Sequence, residues 1–263
     1  MRRLALFGVR LLVVVAAFAG WELAAKAVAS PYFPPPSAIL AAMHRLWFSG
    51  PAGHLWLTGD ATANLLPSLG RMLGGWAAAC AVGIAAGVAI GRLPVLADLT
   101  EPIVHFGRSV PAPTLVPVFF LLFNIGTQME VATIVFGVIW PVLLNSIDGA
   151  RHVDRLHMET ARAFRLSPWQ RMFRVVLPSA APKIFAGVRI GLGLALVMMI
   201  ISEFVGSTNG IGREMLDAQA QFDVSQMWAI IVLLGLLGVV LNIVFSVVEQ
   251  RVMAGRRSQR EIL

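Results

Sequence analysis

Six runs of the sequence are long and nearly free of charge: Leu4–Ala25, Leu65–Ile90, Ile103–Phe123, Val131–Ile147, Ile184–Val205 and Met227–Val248. A hydrocarbon layer about 30 Å thick is crossed by roughly 20 apolar residues as helix, and inside it every backbone N–H and C=O needs an internal partner. The runs are continuous, without the polar–apolar alternation of a β-barrel, so they predict an all-α membrane protein of about six transmembrane helices. The first, third and fourth fit this pattern least well. Glu22 and Lys26 fall at the end of the first, Arg108 lies within the third, and the fourth is short. A chain that is 57% hydrophobic and 13% charged, with a mean hydropathy of +0.77, is in other respects what such a protein requires.

A formal charge of +7 raises the question of nucleic acid, and the placement of the charge answers it. With the N-terminus in the cytoplasm, every Lys and Arg except Lys26, Arg45, Arg71 and Arg213 falls at a cytoplasmic position. The positive-inside rule therefore accounts for the excess. Cys80, the one cysteine, lies within the second run and is read as packing. The start, MRRLALFGVRLLVVVAAFAG followed by Ala25-Lys26-Ala27, resembles a secretory signal with an A-x-A site. Its apolar run exceeds the 7–15 residues or so of a signal h-region, and a retained helix is the reading adopted.

Between the first two runs, PYFPPPSAILAAMHRLWFSG reads as an extended proline segment and a short interfacial helix capped by Ser37. Trp47 and Trp56 suit either the headgroup level or packing on the bundle. Small residues recur every four positions at Gly70 and Gly74, at Gly83, Gly87 and Gly91, and at Gly187 and Gly191, a spacing that lets helix backbones approach closely in lipid. The third run holds Pro111, Pro113 and Pro117 within seven residues. That cluster fits a broken segment lining a solute path or a kinked helix.

The stretch ETARAFRLSPWQRMFRVVLP, Glu159 to Pro178, departs from this pattern. Ser167, Pro168 and Gln170 form a helix start with an N-cap, a first-turn proline and a capping box. Trp169, Met172, Phe173 and Val176 then recur at i, i+3, i+4 and i+7, opposite Gln170, Arg171 and Arg174, with Pro178 as the expected stop. Upstream, Leu156, Thr160, Ala163 and Phe164 share a face of a short helix. Amphipathicity alone allows a hairpin on the inner leaflet or a docking element for a partner protein.

The stretch resembles the cytoplasmic coupling loop of binding-protein-dependent ABC import permeases, whose pattern is Glu-Ala-Ala, three residues, Gly, then a bulky anchor ahead of Leu-Pro. Glu159-Thr160-Ala161, Phe173 and Leu177-Pro178 occupy those positions, and Arg165 stands where the family has glycine. A left-handed backbone there would cost a non-glycine residue about 1–2 kcal/mol. PYFPPPSAI, RSVPAPTLVPVFFLLFNIGTQME, WPVLLNSIDGARHVD, GVRIGLGLALVMMIISEFVGSTNGIG and VVEQRV extend the resemblance, to the nitrate/sulfonate/taurine-type branch.

The resemblance implies a first transmembrane helix and anchor over 1–30, an external loop over 31–64, a permease core over 65–250 with a coupling loop at 150–182, and a basic cytoplasmic tail over 251–263. It implies a permease subunit in the bacterial inner membrane, with both termini cytoplasmic. The solute is expected to be a small anion such as nitrate, a sulfonate or taurine, or alternatively a thiamine-pyrimidine precursor or similar heterocycle. The expected partners are ATPase subunits holding ATP and Mg, a second permease copy, a periplasmic or lipid-anchored binding protein, and membrane lipid. Glu159, Thr160, Ala161, Arg162, Phe164, Arg165, Leu166, Trp169, Phe173 and Pro178 are the expected coupling residues. The two lysines, in AAKA and APKI, form no P-loop, so no cofactor or catalytic residue is expected on this chain.

Other polar residues carry less. His152, Asp154, His157 and Glu159 cluster, but histidines five apart face different sides of a helix, and no metal site is expected. Glu22 and Lys26 at i, i+4 are read as a structural pair. Glu203, with Asn145, is a candidate for the translocation path, compensated by Arg108, Arg189 or another base, or is a helix-end carboxylate bonded to the Asn209–Gly212 loop. A channel or secondary transporter is the rival reading. Such a carrier often shows internal repeats and ion-binding carboxylates within the spans, and neither is evident.

Overall fold

The computed structural model describes residues 2–54 and 56–260, with the side chains of 2–8, 10, 11, 54 and 254–260 outside the description. Among the described residues the chain is helical, without strands. In order, the helices are α1 (Arg2–Val28), α2 (Pro36–Trp47), α3 (Leu66–Arg92), α4 (Pro94–Ser109), α5 (Val116–Phe123), α6 (Thr127–Arg151), α7 (Arg155–Ala163), α8 (Pro168–Arg171), α9 (Leu177–Gly206), α10 (Ile211–Ala220) and α11 (Val224–Arg260). Among the described residues, four helical stretches are long and apolar enough to cross a membrane: Ala61–Arg92, Thr127–Arg151, Pro168–Gly206 and Val224–Met253. The pair Pro94–Ser109 and Ala112–Phe123, bent by 88°, passes the same test only when the two helices are taken together, as a broken span or a re-entrant loop. Helix α1 is 27 residues long, and the expected first span falls partly on its undescribed side chains. So do Arg256, Arg257 and Arg260 of the tail.

The third run is thus broken outright, and its helical part begins at Pro94, well before Ile103. Asp98 and Glu101, which interrupt the apolar run, sit on the exposed side of α4. Helix α6 likewise exceeds the expected run at both ends. Glu130 and Asp148 are accommodated because each meets a base from another helix, Arg71 and Lys183 respectively.

The chain forms two compact units, Met1–Pro67 with Asn209–Leu236, and Ser68–Thr208 with Leu237–Leu263. In the first, α2 starts at Pro36 after Pro35, and Ser37 is not its cap. The Ser37 N–H and Oγ instead donate to Glu22 of α1, at 3.0 and 2.7 Å, while Lys26 holds the same carboxylate at 2.7 Å. A carboxylate from another helix thereby satisfies the open Ser37 N–H of α2 and complements its dipole. Trp47 is fully buried and Trp56 exposed. Trp21, Phe33 and Trp228 meet with ring centroids 5.6 Å apart, and the Trp228 indole N–H donates to the Tyr32 carbonyl at 3.1 Å.

In the second unit α6 packs on both α3 and α9, and glycines set both contacts. A Cβ at Gly83 or Gly87 would come within 3.0 Å of Val142 or 2.6 Å of Ser146 on α6, and one at Gly187 within 2.7 Å of Asn145 and the Pro141 carbonyl. Gly70 and Gly74 take no part: nothing lies within 4 Å, and the neighbouring Gly75 packs on Ile134 instead. Arg71, Glu130 and Glu203 mark one end of this three-helix layer. Arg92, which donates to the Ala150 carbonyl, and Asp148, paired with Lys183, mark the other.

Candidate coupling hairpin and buried ion network

The polar segment between α6 and α9 folds as two short helices joined by a tight bend. Asp154 caps α7 by accepting from the Leu156 N–H at 2.8 Å. The bend closes with Leu166 N–H donating to the Ala161 carbonyl at 3.0 Å and Arg165 N–H to the Arg162 carbonyl at 2.8 Å, the paired 6→1 and 5→2 bonds of a Schellman stop. Such a stop needs a left-handed residue, and Arg165 supplies it at φ 53°. The bend therefore keeps the geometry that favours glycine while carrying an arginine. Ser167 and Gln170 then form the reciprocal capping box of α8, at 3.3 and 2.9 Å.

Pro178 does not end the helix. The chain stays helical from Pro168 to Gly206 because Met172–Val176 forms a wide turn, in which the Leu177 N–H reaches the Met172 carbonyl. An extra residue in the turn makes room for the proline ring and its missing donor. The same device precedes α3, where Ala61–Leu65 widens ahead of Leu66-Pro67 and the Leu66 N–H reaches the Ala61 carbonyl. Helix α8 thus feeds directly into α9, making the hairpin's second arm continuous with a membrane span.

The hairpin exposes what a soluble surface would hide. Phe164 and Trp169 are more than two-thirds exposed, Phe173 about half, and Trp169 and Phe173 lie with ring centroids 4.3 Å apart. Ala161 is buried and Leu166 half-buried beneath the bend, while Thr160, Arg162 and Arg165 face outward. Glu159 pairs with Arg155 at 2.7 Å. The would-be metal cluster is spoken for in the same way, with His152 on Asp148 at 2.7 Å and Asp154 on the α7 cap. Among the described residues no group of three or more His, Cys, Asp or Glu is placed to hold a metal.

Of the residues expected near a solute path, Pro111, Pro113 and Pro117 lie exposed along the 88° break. Asn145 is half-buried, donates from Nδ2 to the Pro141 carbonyl at 2.8 Å and packs on Gly187. Glu203 is buried, and its compensating base is neither Arg108 nor Arg189 but Arg71. The Arg71 guanidinium lies between Glu203, 3.1 Å from its Nη2, and Glu130, and its Nη1 also donates to Ser207 Oγ at 3.1 Å. Ser68 Oγ donates to Glu203 at 2.6 Å. Sequence reasoning missed Arg71 and Glu130. The available signal was an arginine within a 26-residue apolar run with no acid one turn away, since a charge in a span demands a partner from another helix.

Among the described residues the chain thus combines several membrane-length apolar helices with an exposed amphipathic hairpin that is continuous with one of them. Residues 79–254 match the family described as the binding-protein-dependent transport system inner membrane component, and the chain belongs to that family. It is 33% identical over 178 residues to the bicarbonate transport system permease protein of Synechocystis, covering 67% of this chain and 64% of the relative. It is 31% identical over 195 residues to the taurine transport system permease protein of Escherichia coli, covering 73% of this chain and 69% of the relative. An inward-facing structure of the MetNI methionine ABC transporter shares the fold at a TM-score of 0.61 and 18% identity, over 73% of this chain and 94% of that one.

Proposed function

We propose that this chain is the membrane-spanning subunit of an ABC importer that moves a small anion across the bacterial inner membrane. The observation that carries this reading is the hairpin: exposed Phe164, Trp169 and Phe173 on two capped helices, one of them continuous with α9. Exposed aromatics at this density suit a cleft on an ATPase subunit, with Arg162 and Arg165 at its rim fixing register. Closure of two ATPase subunits around bound ATP and Mg would push on α8, and α9 would carry the displacement into the bundle. This chain supplies the path and the grip, and its partner the hydrolysis.

The bicarbonate and taurine relatives favour a small solute that bears a carboxylate- or sulfonate-type anionic group, and the family description favours its delivery by a binding protein on the outer side. In this reading α1, the bent pair α4–α5 and the four long helices make six spans, with both termini and the hairpin cytoplasmic. The core then occupies 65–250 between the external loop of 31–64 and the tail of 251–263. Pro111, Pro113, Pro117 and Asn145 are assigned to or near the path, and Glu203 to the outer end. A second copy completes the pore.

Mass spectrometry of whatever copurifies with the tagged chain from native membranes in mild detergent tests this. The expected result is an ATPase subunit with a P-loop and a second permease chain. Recovery of the chain alone, where a control ABC complex stays intact, would overturn it.

A further inference from the structure

We propose that a groove in the second unit, between α3, α9 and the C-terminal part of α11, binds one acyl chain of a zwitterionic bilayer phospholipid, with the headgroup held at the Arg189–Glu249 pair. The groove has a volume of about 430 Å³, and no polar surface contributes to its wall. Cys80, Val188, Leu192 and Phe245 form a buried floor, and Trp76 and Phe185 stand at its sides. The Trp76 indole N–H, the strong donor among the lining side chains, is turned onto the Val188 carbonyl at 3.2 Å. The three rings brace one another about Phe245, at 6.4 Å from Trp76 and 6.0 Å from Phe185, which keeps the helices from closing together.

Chemistry narrows the occupant. Sites for polar ligands place a few converging polar groups within an apolar pocket, and this groove has none. A small anion entering it would lose its hydration and gain no partner. Water is excluded for the same reason. The walls belong to three of the long apolar spans, so the molecule at hand is a lipid chain.

The rim identifies the headgroup. The Arg189 guanidinium lies 5.8 Å above the Phe245 ring, donates to Ser246 Oγ at 3.3 Å and pairs with Glu249. Arg189 keeps nearly half of its side-chain surface exposed. A cation and an anion side by side complement a phosphate and an ammonium side by side. A headgroup with phosphate alone would meet Glu249 as well as Arg189.

The test uses the full chain with its natural partners, extracted in mild detergent and examined by native mass spectrometry with added phosphatidylethanolamine or phosphatidylglycerol of equal chain length. The same complex in vesicles is then crosslinked with phosphatidylethanolamine carrying a mid-chain diazirine. The expected result is one retained phosphatidylethanolamine per chain, with crosslinks concentrated on the peptides of Val188 and Phe245. Val188→Trp, which fills the groove, should lower retention about tenfold. Arg189→Gln with Glu249→Gln, at positions not fully buried, should abolish the preference for phosphatidylethanolamine while leaving the chain folded. Crosslinks no denser on Val188 and Phe245 than on lipid-exposed Val197 and Val240 would overturn the site, as would a wild-type complex that retains no lipid. Equal retention of the two lipids by wild type would overturn the headgroup assignment.

Discussion

Two arginines, 94 positions apart, illustrate what a single residue does here. Arg165 holds a left-handed backbone at φ 53° in a bend that any glycine would adopt freely. Arg165→Gly removes roughly 1–2 kcal/mol of strain but frees the unfolded chain by about 0.4–1 kcal/mol. The net expectation is a gain of between about 0 and 1.6 kcal/mol, read as a slightly higher melting temperature in detergent, with the ATPase subunit retained. A gain in stability with loss of the ATPase subunit would mean that the guanidinium itself contacts the partner. Arg71 is the opposite case, since its removal leaves Glu130 and Glu203 buried without their base. Arg71→Met should cost about 3–5 kcal/mol, and the triple change Arg71→Met, Glu130→Gln, Glu203→Gln should recover most of it. Thermal unfolding followed by size exclusion distinguishes the two, and equal stabilities would contradict the buried network.

Elements were legible in the sequence where one strong local signal ruled. The capping box at Ser167 and Gln170 formed as the spacing required, and α3, α6, α9 and α11 arose from long, mostly apolar runs. Boundaries were obscured where the decisive partner lay far along the chain. Nothing near Glu130 or Asp148 reveals that Arg71 and Lys183 allow α6 to continue through them, and nothing near Ser37 reveals Glu22. Pro178 misled because its usual effect on a helix is cancelled by the wide turn before it. Helix α10 supplies a test at this scale. Its Glu214 is buried, accepts from Gln226 Nε2 at 3.2 Å, and is raised above the ordinary carboxylate range by the loss of hydration. A carboxyl raised on folding contributes stability that is present at low pH and is lost as pH rises through its folded value. Glu214→Gln should therefore raise thermal stability at neutral pH, with the advantage shrinking toward pH 4. An advantage that does not change with pH would contradict the burial effect.

At the scale of the α3, α6 and α9 group, Arg71, Glu130 and Glu203 gather at one end and Asp148 and Lys183 at the other, and the hairpin joins that second end directly to α9. In the proposed importer the hairpin would act as the lever, with Glu159, paired to Arg155, steadying α7 and Phe173 filling the partner's cleft. The complex reconstituted with its ATPase and binding protein gives the most direct test, through ATP hydrolysis and solute uptake measured together for wild type, Glu159→Ala and Phe173→Ala. The account predicts that both variants insert and assemble in the membrane while uptake per ATP hydrolysed falls, about tenfold for Phe173→Ala, the loss expected from one buried aromatic anchor. Uptake and hydrolysis unchanged in both variants would contradict the assignment of the hairpin as the coupling element.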